Sequence, residues 1–265
     1  MTLAAPSLAN YPLLNFRQQG SGEHLVLIHG LFGSLENLNM VAKVLATDYC
    51  VTSVDVRNHG QSFHQNDMAY DNLAQDIVNL LDHLAIGQAY VLGHSMGGKI
   101  AMELALSFPQ RVKKLIVADI APVDYPPHHT KIIEGLKAIN LKQVKKRSDA
   151  DKQLAPYVDN LAVRQFLLRN LININNQYSF KCSIEFIDCC YPQIMQGYQG
   201  NAQFNKPTLF IKGGDSDYIQ ASHRTIINKI LPVSSVKIIQ GSGHWLHAEK
   251  TTAFNKIVSD FLTRE

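Results

Sequence analysis

The stretch Val91-Leu92-Gly93-His94-Ser95-Met96-Gly97-Gly98 decides how the chain is read. An apolar run, Ala89-Tyr90-Val91-Leu92, leads into it, and a helical pattern from Lys99 to Phe108 leads out. Strand, sharp turn at a serine, then helix is the setting in which Gly-x-Ser-x-Gly marks a nucleophile elbow. A serine at the tip of such a turn is held in a strained conformation, exposed above the sheet. Glycines flank it because Cβ atoms at 93 and 97 would meet the neighbouring strand and helix. The helix that follows points its N-terminus at Ser95, which favours negative charge developing there.

Working outward, the same alternation of strand and helix continues in both directions. Pro12 to Arg17 predicts a first strand, followed by a turn at Gly20-Ser21-Gly22. His24 to His29 is a continuous apolar run, as expected of a strand buried on both faces, and it ends in His29-Gly30-Leu31-Phe32-Gly33-Ser34. A helix follows with Leu38, Val41, Val44 and Leu45 as its apolar stripe. The strand Cys50 to Val54 then leads into Asp55-Val56-Arg57-Asn58-His59-Gly60-Gln61-Ser62. Leu73, Ile77, Leu80, Leu81 and Leu84 recur at helical spacing within Met68 to Leu84. Beyond the serine helix, Val112 to Asp119 reads as another buried strand. This order predicts an α/β fold with a mostly parallel, doubly wound sheet and helices on both faces. Sites on such sheets lie at the carboxyl ends of the strands, and His29, Asp55, Ser95 and Asp119 all fall on that edge.

The alternation stops at Val123. From there the pattern is helical, with aromatics at Tyr157, Phe166, Phe180, Phe186 and Tyr191 and no buried-strand run. Residues 123–205 are therefore expected to form a helical cap, inserted into a core made of 1–122 and 206–265. An insertion over the strand ends is where a substrate pocket would get its walls. Alternation resumes with a strand at Pro207 to Lys212, a helix at Ala221 to Leu231, a strand at Val236 to Gln240 and a helix at Lys250 to Leu262.

Composition narrows the class. The 265 residues suffice for one α/β domain with an insertion, and 46% hydrophobic with 18% charged residues is ordinary for a globular chain. A net charge of +3 is too small to argue for nucleic acid or a membrane surface. The cysteines, Cys50, Cys182, Cys189 and Cys190, form no Cys-x-x-Cys pair, which suits reduced thiols better than disulfides or zinc. Met1 to Tyr11 lacks the basic start and apolar core of a signal peptide, and no run approaches membrane-span length. The expected setting is cytoplasmic. Nothing in the sequence sets an oligomeric state.

A serine hydroxyl is a poor nucleophile until a base takes its proton, and histidine is the usual base. His244, on the Gly-flanked loop Gly241-Ser242-Gly243-His244-Trp245 after the last strand, is the best placed of the histidines. The base needs a carboxylate to fix its tautomer. Asp119 ends the strand after the serine helix, and Asp215 and Asp217 follow the next strand, so three aspartates are candidates. Tetrahedral chemistry at Ser95 also needs N–H donors for an oxyanion. One should be the amide of Met96 and the other should come from the loop after Gly30. The polar loop from Asp55 to Ser62 is expected to be architectural, with His29 and His59 making structural hydrogen bonds.

Four motifs carry a resemblance: His29-Gly30-Leu31-Phe32-Gly33-Ser34, Asp55-x-Arg57-x-His59-Gly60-x-Ser62, Gly93-His94-Ser95-Met96-Gly97-Gly98 and Gly243-His244-Trp245. Along nearly its whole length the chain resembles the α/β-hydrolase fold superfamily. Many members carry the acid in Gly-x-x-Asp after the first strand beyond the cap. Here Gly213-Gly214-Asp215-Ser216 puts a serine at that place. In this the chain resembles the YbfF-type esterases, which carry the acid one strand earlier, as in Val117-Ala118-Asp119-Ile120-Ala121-Pro122. The resemblance implies Ser95 as nucleophile, Asp119 as acid and His244 as base, with Ser216 hydrogen-bonding near the histidine. It implies Leu31 and Met96 as oxyanion donors, with Phe32 the alternative to Leu31. Phe32 and Trp245 would contact substrate.

The resulting expectation is a serine hydrolase of small-molecule carboxylic esters, extending to acyl-CoA thioesters, with no metal or organic cofactor. The cap's basic run, Lys137, Lys142, Lys145, Lys146 and Arg147, could hold CoA phosphates or be a solvated helix face. A carbon–carbon bond hydrolase or a menaquinone-pathway lyase on the same fold is the alternative. Ser216 argues against it, because those enzymes resemble the common acid placement. A non-catalytic receptor on this fold would keep its ligand and lack turnover.

Overall fold

Short apolar runs build the sheet of the computed structural model, which describes residues 11–263. The strands are β1 (Phe16–Gln19), β2 (Glu23–Ile28), β3 (Tyr49–Val54), β4 (Ala89–His94), β5 (Val112–Ala118), β8 (Thr208–Gly213) and β9 (Ser234–Ile239). They lie in the order β1-β3-β2-β4-β5-β8-β9. Only β1 runs antiparallel, with Phe16 opposite Val54; every other pairing is parallel. Alternate residues of β2 feed two separate cores. Leu25 and Leu27 pack with Val41 and Leu45 of α1 (Asn39–Leu45) and with Phe254 and Val258 of α11 (Thr251–Leu262). Val26 and Ile28 pack with Leu73 and Ile77 of α2 (Tyr70–His83) and Ile100 and Leu104 of α3 (Met96–Ser107). A strand buried on both faces has no polar side, which is why it reads as an unbroken apolar run.

β1 begins later than the Pro12 to Arg17 expected. The amide of Asn15 donates to Ser62 Oγ (2.9 Å) and its carbonyl accepts from the Asp55 amide (2.9 Å), so that segment bonds to the loop after β3. The amino-terminal stretch read for a leader lies, up to residue 10, outside the described residues.

Between β5 and β8 the chain forms α4 (Thr130–Ala138), α5 (Arg147–Leu154), α6 (Leu161–Leu167), α7 (Ile184–Cys189) and α8 (Tyr191–Met195). This segment is not wholly helical as expected. A hairpin, β6 (Leu171–Ile174) with β7 (Gln177–Phe180), interrupts it. Asn175 and Asn176 make its turn at φ 52° and 63°. Two consecutive left-handed residues are what a tight hairpin needs, and asparagine tolerates them. The partly exposed strands lack the buried run by which the core strands were read. After β8 come α9 (Arg224–Ile230), β9, α10 (Leu246–Glu249) and α11. No helix among the described residues is long and apolar enough to cross a membrane.

Candidate active site

Ser95 sits between β4 and α3 with φ 55° and ψ −124°, a strained conformation for a residue with a side chain. The residues two places to either side of it must be glycine. A Cβ on Gly93 would lie 2.0 Å from the Gly97 carbonyl oxygen, and one on Gly97 would lie 2.3 Å from that of Ile28. The turn is pinned by the Ser95 amide donating to the Ala118 carbonyl of β5 (2.9 Å).

Two further loops at the same sheet edge complete a line of contacts. Ser95 Oγ lies 2.9 Å from His244 Nε2, and His244 Nδ1 lies 2.8 Å from Asp119 Oδ2. A carboxylate only accepts, so Nδ1 carries the hydrogen and Nε2 presents its lone pair to the serine O–H. Asp119 follows β5, is fully buried and has φ 54°. Its Oδ1 accepts the Gly213 amide (2.9 Å), and its Oδ2 also accepts the Ser216 hydroxyl. Ser216 therefore bonds the aspartate rather than the histidine. Asp215 and Asp217 are exposed and make no contact with His244. Among the three candidate aspartates, the structure brings Asp119 alone to the imidazole.

The loop after β2 separates Leu31 from Phe32. The Phe32 amide donates to His59 Nε2 (3.1 Å), and its carbonyl accepts from Asn170 Nδ2 of the cap (2.6 Å). The Leu31 amide has no partner among the described residues. The Met96 amide opens α3, where a first-turn N–H has no intrahelical acceptor. Two donors are thus left beside Ser95. His59 Nδ1 donates to the Arg57 carbonyl (2.9 Å), and His29 bridges Gly30 O and the Val56 amide (2.8 and 3.0 Å). Both make the structural hydrogen bonds expected of them. Asp55 holds the amides of Leu35 and Gln61, and Arg57 forks onto Asp76, so this loop is architecture.

Several contributors were invisible in the sequence. His94 donates Nε2–H to the His244 carbonyl (2.8 Å), fixing the histidine's backbone. Tyr218 stacks on the His244 ring at 3.9 Å and 18°. Its hydroxyl meets His128 Nε2 at 2.7 Å. Lys99, one turn along α3 from Ser95, is buried and donates to the Met195 and Gln196 carbonyls (3.0 and 2.5 Å) at the end of α8. Burial pushes its pKa down to about 7, against a smaller upward pull from Asp124.

A cavity of about 290 Å³ opens at Ser95 and His244. Its far wall is apolar: Phe32, Ile132, Val163, Phe166, Leu167 and Trp245. Phe166 of α6 packs on Trp245 at 5.7 Å. A second, smaller branch of about 20 Å³ leaves Ser95 between Met96, Tyr125 and Met195. The cap's basic residues line neither branch, and Lys137 is paired with Asp188.

Residues 23–146 match the model of the family described as alpha/beta hydrolase fold. The chain is 38% identical over 246 residues to sn-1-specific diacylglycerol lipase ABHD11 of Mus musculus, covering 90% of this chain and 80% of that protein. It is 35% identical to Esterase YbfF of Escherichia coli (strain K12), over 93% of this chain and 95% of that protein. A solved structure titled Marine microorganism esterase superposes with a TM-score of 0.92 at 38% identity, covering 95% of this chain and all of the other. The chain belongs to the α/β-hydrolase fold family. Within that family it is similar to the YbfF-type esterases, as its acid-bearing β5 loop and Ser216 led one to expect.

Proposed function

We propose that the protein hydrolyses carboxylic esters through an acyl-enzyme on Ser95. The observation that carries this reading is the unbroken line from Ser95 Oγ through His244 to Asp119, with the Leu31 and Met96 amides beside it. Ser95 Oγ attacks the ester carbonyl while His244 Nε2 takes its proton. The carbonyl oxygen becomes an oxyanion facing the two amides. Asp119, with Ser216 and Gly213 holding its carboxylate, keeps His244 in the Nδ1–H tautomer and balances the imidazolium. His244 then passes the proton to the departing alkoxide, so the alcohol leaves neutral. Water, deprotonated by the same nitrogen, attacks the acyl carbonyl and releases the acid, returning the proton to Ser95.

Relatives named as esterases and as a diacylglycerol lipase support ester hydrolysis. The apolar wall formed by Phe166, Val163 and Trp245 suits an unbranched hydrocarbon chain better than a polar group. Acyl-CoA thioesters fall within the same chemistry, because a thiolate leaves more readily than an alkoxide. Lys142, Lys145 and Lys146 line neither branch and suit a solvated cap surface, while Arg147 donates to the Leu171 carbonyl (2.9 Å). Four free cysteines keep the cytoplasmic setting the consistent one.

The test is kcat/KM for short and long acyl groups, each as an aryl ester and as a CoA thioester, with Ser95→Ala as control. Aryl esters are expected to turn over, with CoA adding less than tenfold once leaving-group reactivity is allowed for. Turnover of neither class, or turnover that survives Ser95→Ala, would overturn the proposal.

A further inference from the structure

His129 precedes α4 in the cap and lines both cavity branches where they meet at Ser95. Its protonation pattern can be worked out from its neighbours. The Tyr191 hydroxyl accepts two backbone amides, those of His128 (3.1 Å) and His129 (2.8 Å). It also lies 3.1 Å from His129 Nδ1. A phenol oxygen whose acceptor capacity is taken by two N–H groups has only its own hydrogen left to offer. That hydrogen goes to Nδ1, so Nδ1 is the bare nitrogen and Nε2 carries the N–H. Nε2 has no partner among the described residues. The ring is held edge-on against Phe32 at 6.3 Å, which fixes its direction. Burial, then the neighbouring His128 and His244, push its pKa down to about 3. The group is thus a neutral donor throughout the working range.

An unpartnered donor at the junction of the two branches, in a cavity whose far wall is apolar, is a selectivity element. It is left unpaired by a substrate that offers no acceptor, and a buried donor left unpaired costs more than the bond gains when made. We propose that His129 Nε2–H is a specificity-determining group that selects esters carrying a second oxygen acceptor next to the scissile ester. This rests on the ester-hydrolase reading and deepens it. The shared chemistry is an ether, hydroxyl or carbonyl oxygen a few bonds from the reacting carbonyl. Because His129 stands where the branches meet, that oxygen can sit on the alcohol or on the acyl side.

Three probes of matched shape separate these sources: butyl pentanoate, methoxyethyl pentanoate with the extra oxygen on the alcohol, and butyl methoxypropanoate with it on the acyl chain. Specificity is read as the ratio of kcat/KM for each oxygen-bearing ester to that for butyl pentanoate. His129→Leu is expected to lower that ratio about five- to tenfold for one of the two, the size of one neutral hydrogen bond, with part of the fall coming from faster turnover of butyl pentanoate once the unpaired donor is gone. The ester that responds identifies the side. Tyr191→Phe keeps the ring but frees its tautomer, and is expected to lower the same ratio by a smaller factor, mainly through KM. It also serves if His129→Leu unfolds. Equal losses on all three esters in both variants, or an unchanged ratio, would overturn the inference while leaving the hydrolase reading standing. No turnover of any of the three by the unaltered chain would overturn the inference, and the hydrolase reading falls with it only if aryl esters and CoA thioesters also fail to turn over.

Discussion

The sheet edge and the cap are built on different principles. At the sheet edge, backbone geometry does the positioning: Ser95 and Asp119 stand in left-handed turns, and glycines 93 and 97 admit contacts of the chain with itself that no side chain would allow. In the cap, side chains do it. Asn170 reaches the Phe32 carbonyl, Tyr191 orients His129, and short helices alternate with an exposed hairpin. The edge holds the reacting groups to fixed places, while the cap shapes what reaches them. Changes at the edge should therefore act on kcat, and changes in the cap on KM and substrate choice.

The largest effect is expected at the buried acid. Asp119→Asn should lower kcat by about 10⁴, because an amide at that place favours the wrong histidine tautomer. Asp215→Asn and Asp217→Asn, both exposed, should stay within about twofold. Steady-state hydrolysis of an aryl ester checks this, and a large loss at Asp215 or Asp217 would move the acid to the β8 loop.

A second effect concerns stability, and the edge should dominate it. Burial holds His59 down to about 3 and His247 to about 4, with His94 and His29 lowered by the same cause; the cap adds His129 at about 3. Above the ordinary value of 6.5, native and unfolded chains are alike in carrying these rings neutral. As pH falls from 6.5 toward 4, the unfolded chain binds protons that the native one refuses, so stability is lost in that window. Each such proton is worth about tenfold in the folding equilibrium per pH unit. Urea unfolding at pH 7, 6, 5 and 4 should show uptake of more than one proton on unfolding; a flat profile would mean that these rings are solvated.

The smallest effect belongs to the cap wall. Phe166→Ala removes the ring packed on Trp245 and should raise KM for long acyl chains by about tenfold, with kcat and short chains nearly unchanged. An equal fall in kcat for every chain length would give α6 a part in the chemistry and blur the division.

The same division explains what could be read from the sequence. Ser95, His244 and the loop after β2 were legible because tight turns demand glycine, and glycine is visible as a letter. The choice among Asp119, Asp215 and Asp217 was open from spacing alone. It turned on Ser216 occupying a place where related chains carry an acid, and in the structure that serine bonds Asp119. Leu31 could not be separated from Phe32 by sequence, since the difference is whether His59, on another loop, takes the amide. The hairpin of the cap did carry a signal, Asn175-Asn176 between alternating apolar residues, but its exposed strands lack a buried run. His94 and Tyr218 find their partner in His244, His129 in Tyr191 and Asn170 in the Phe32 carbonyl, all far away in sequence, so nothing local announces them.

The most direct test of the central claim is to look for the acyl-enzyme itself. A rapid-quench experiment with an aryl ester, followed by peptide mass analysis, should show a burst of about one equivalent of alcohol per chain. The acyl mass should sit on the peptide containing Ser95 and be absent in Ser95→Ala. Steady hydrolysis with no burst and no adduct even after acid quench, or an adduct on another residue, would contradict the triad at Ser95, His244 and Asp119.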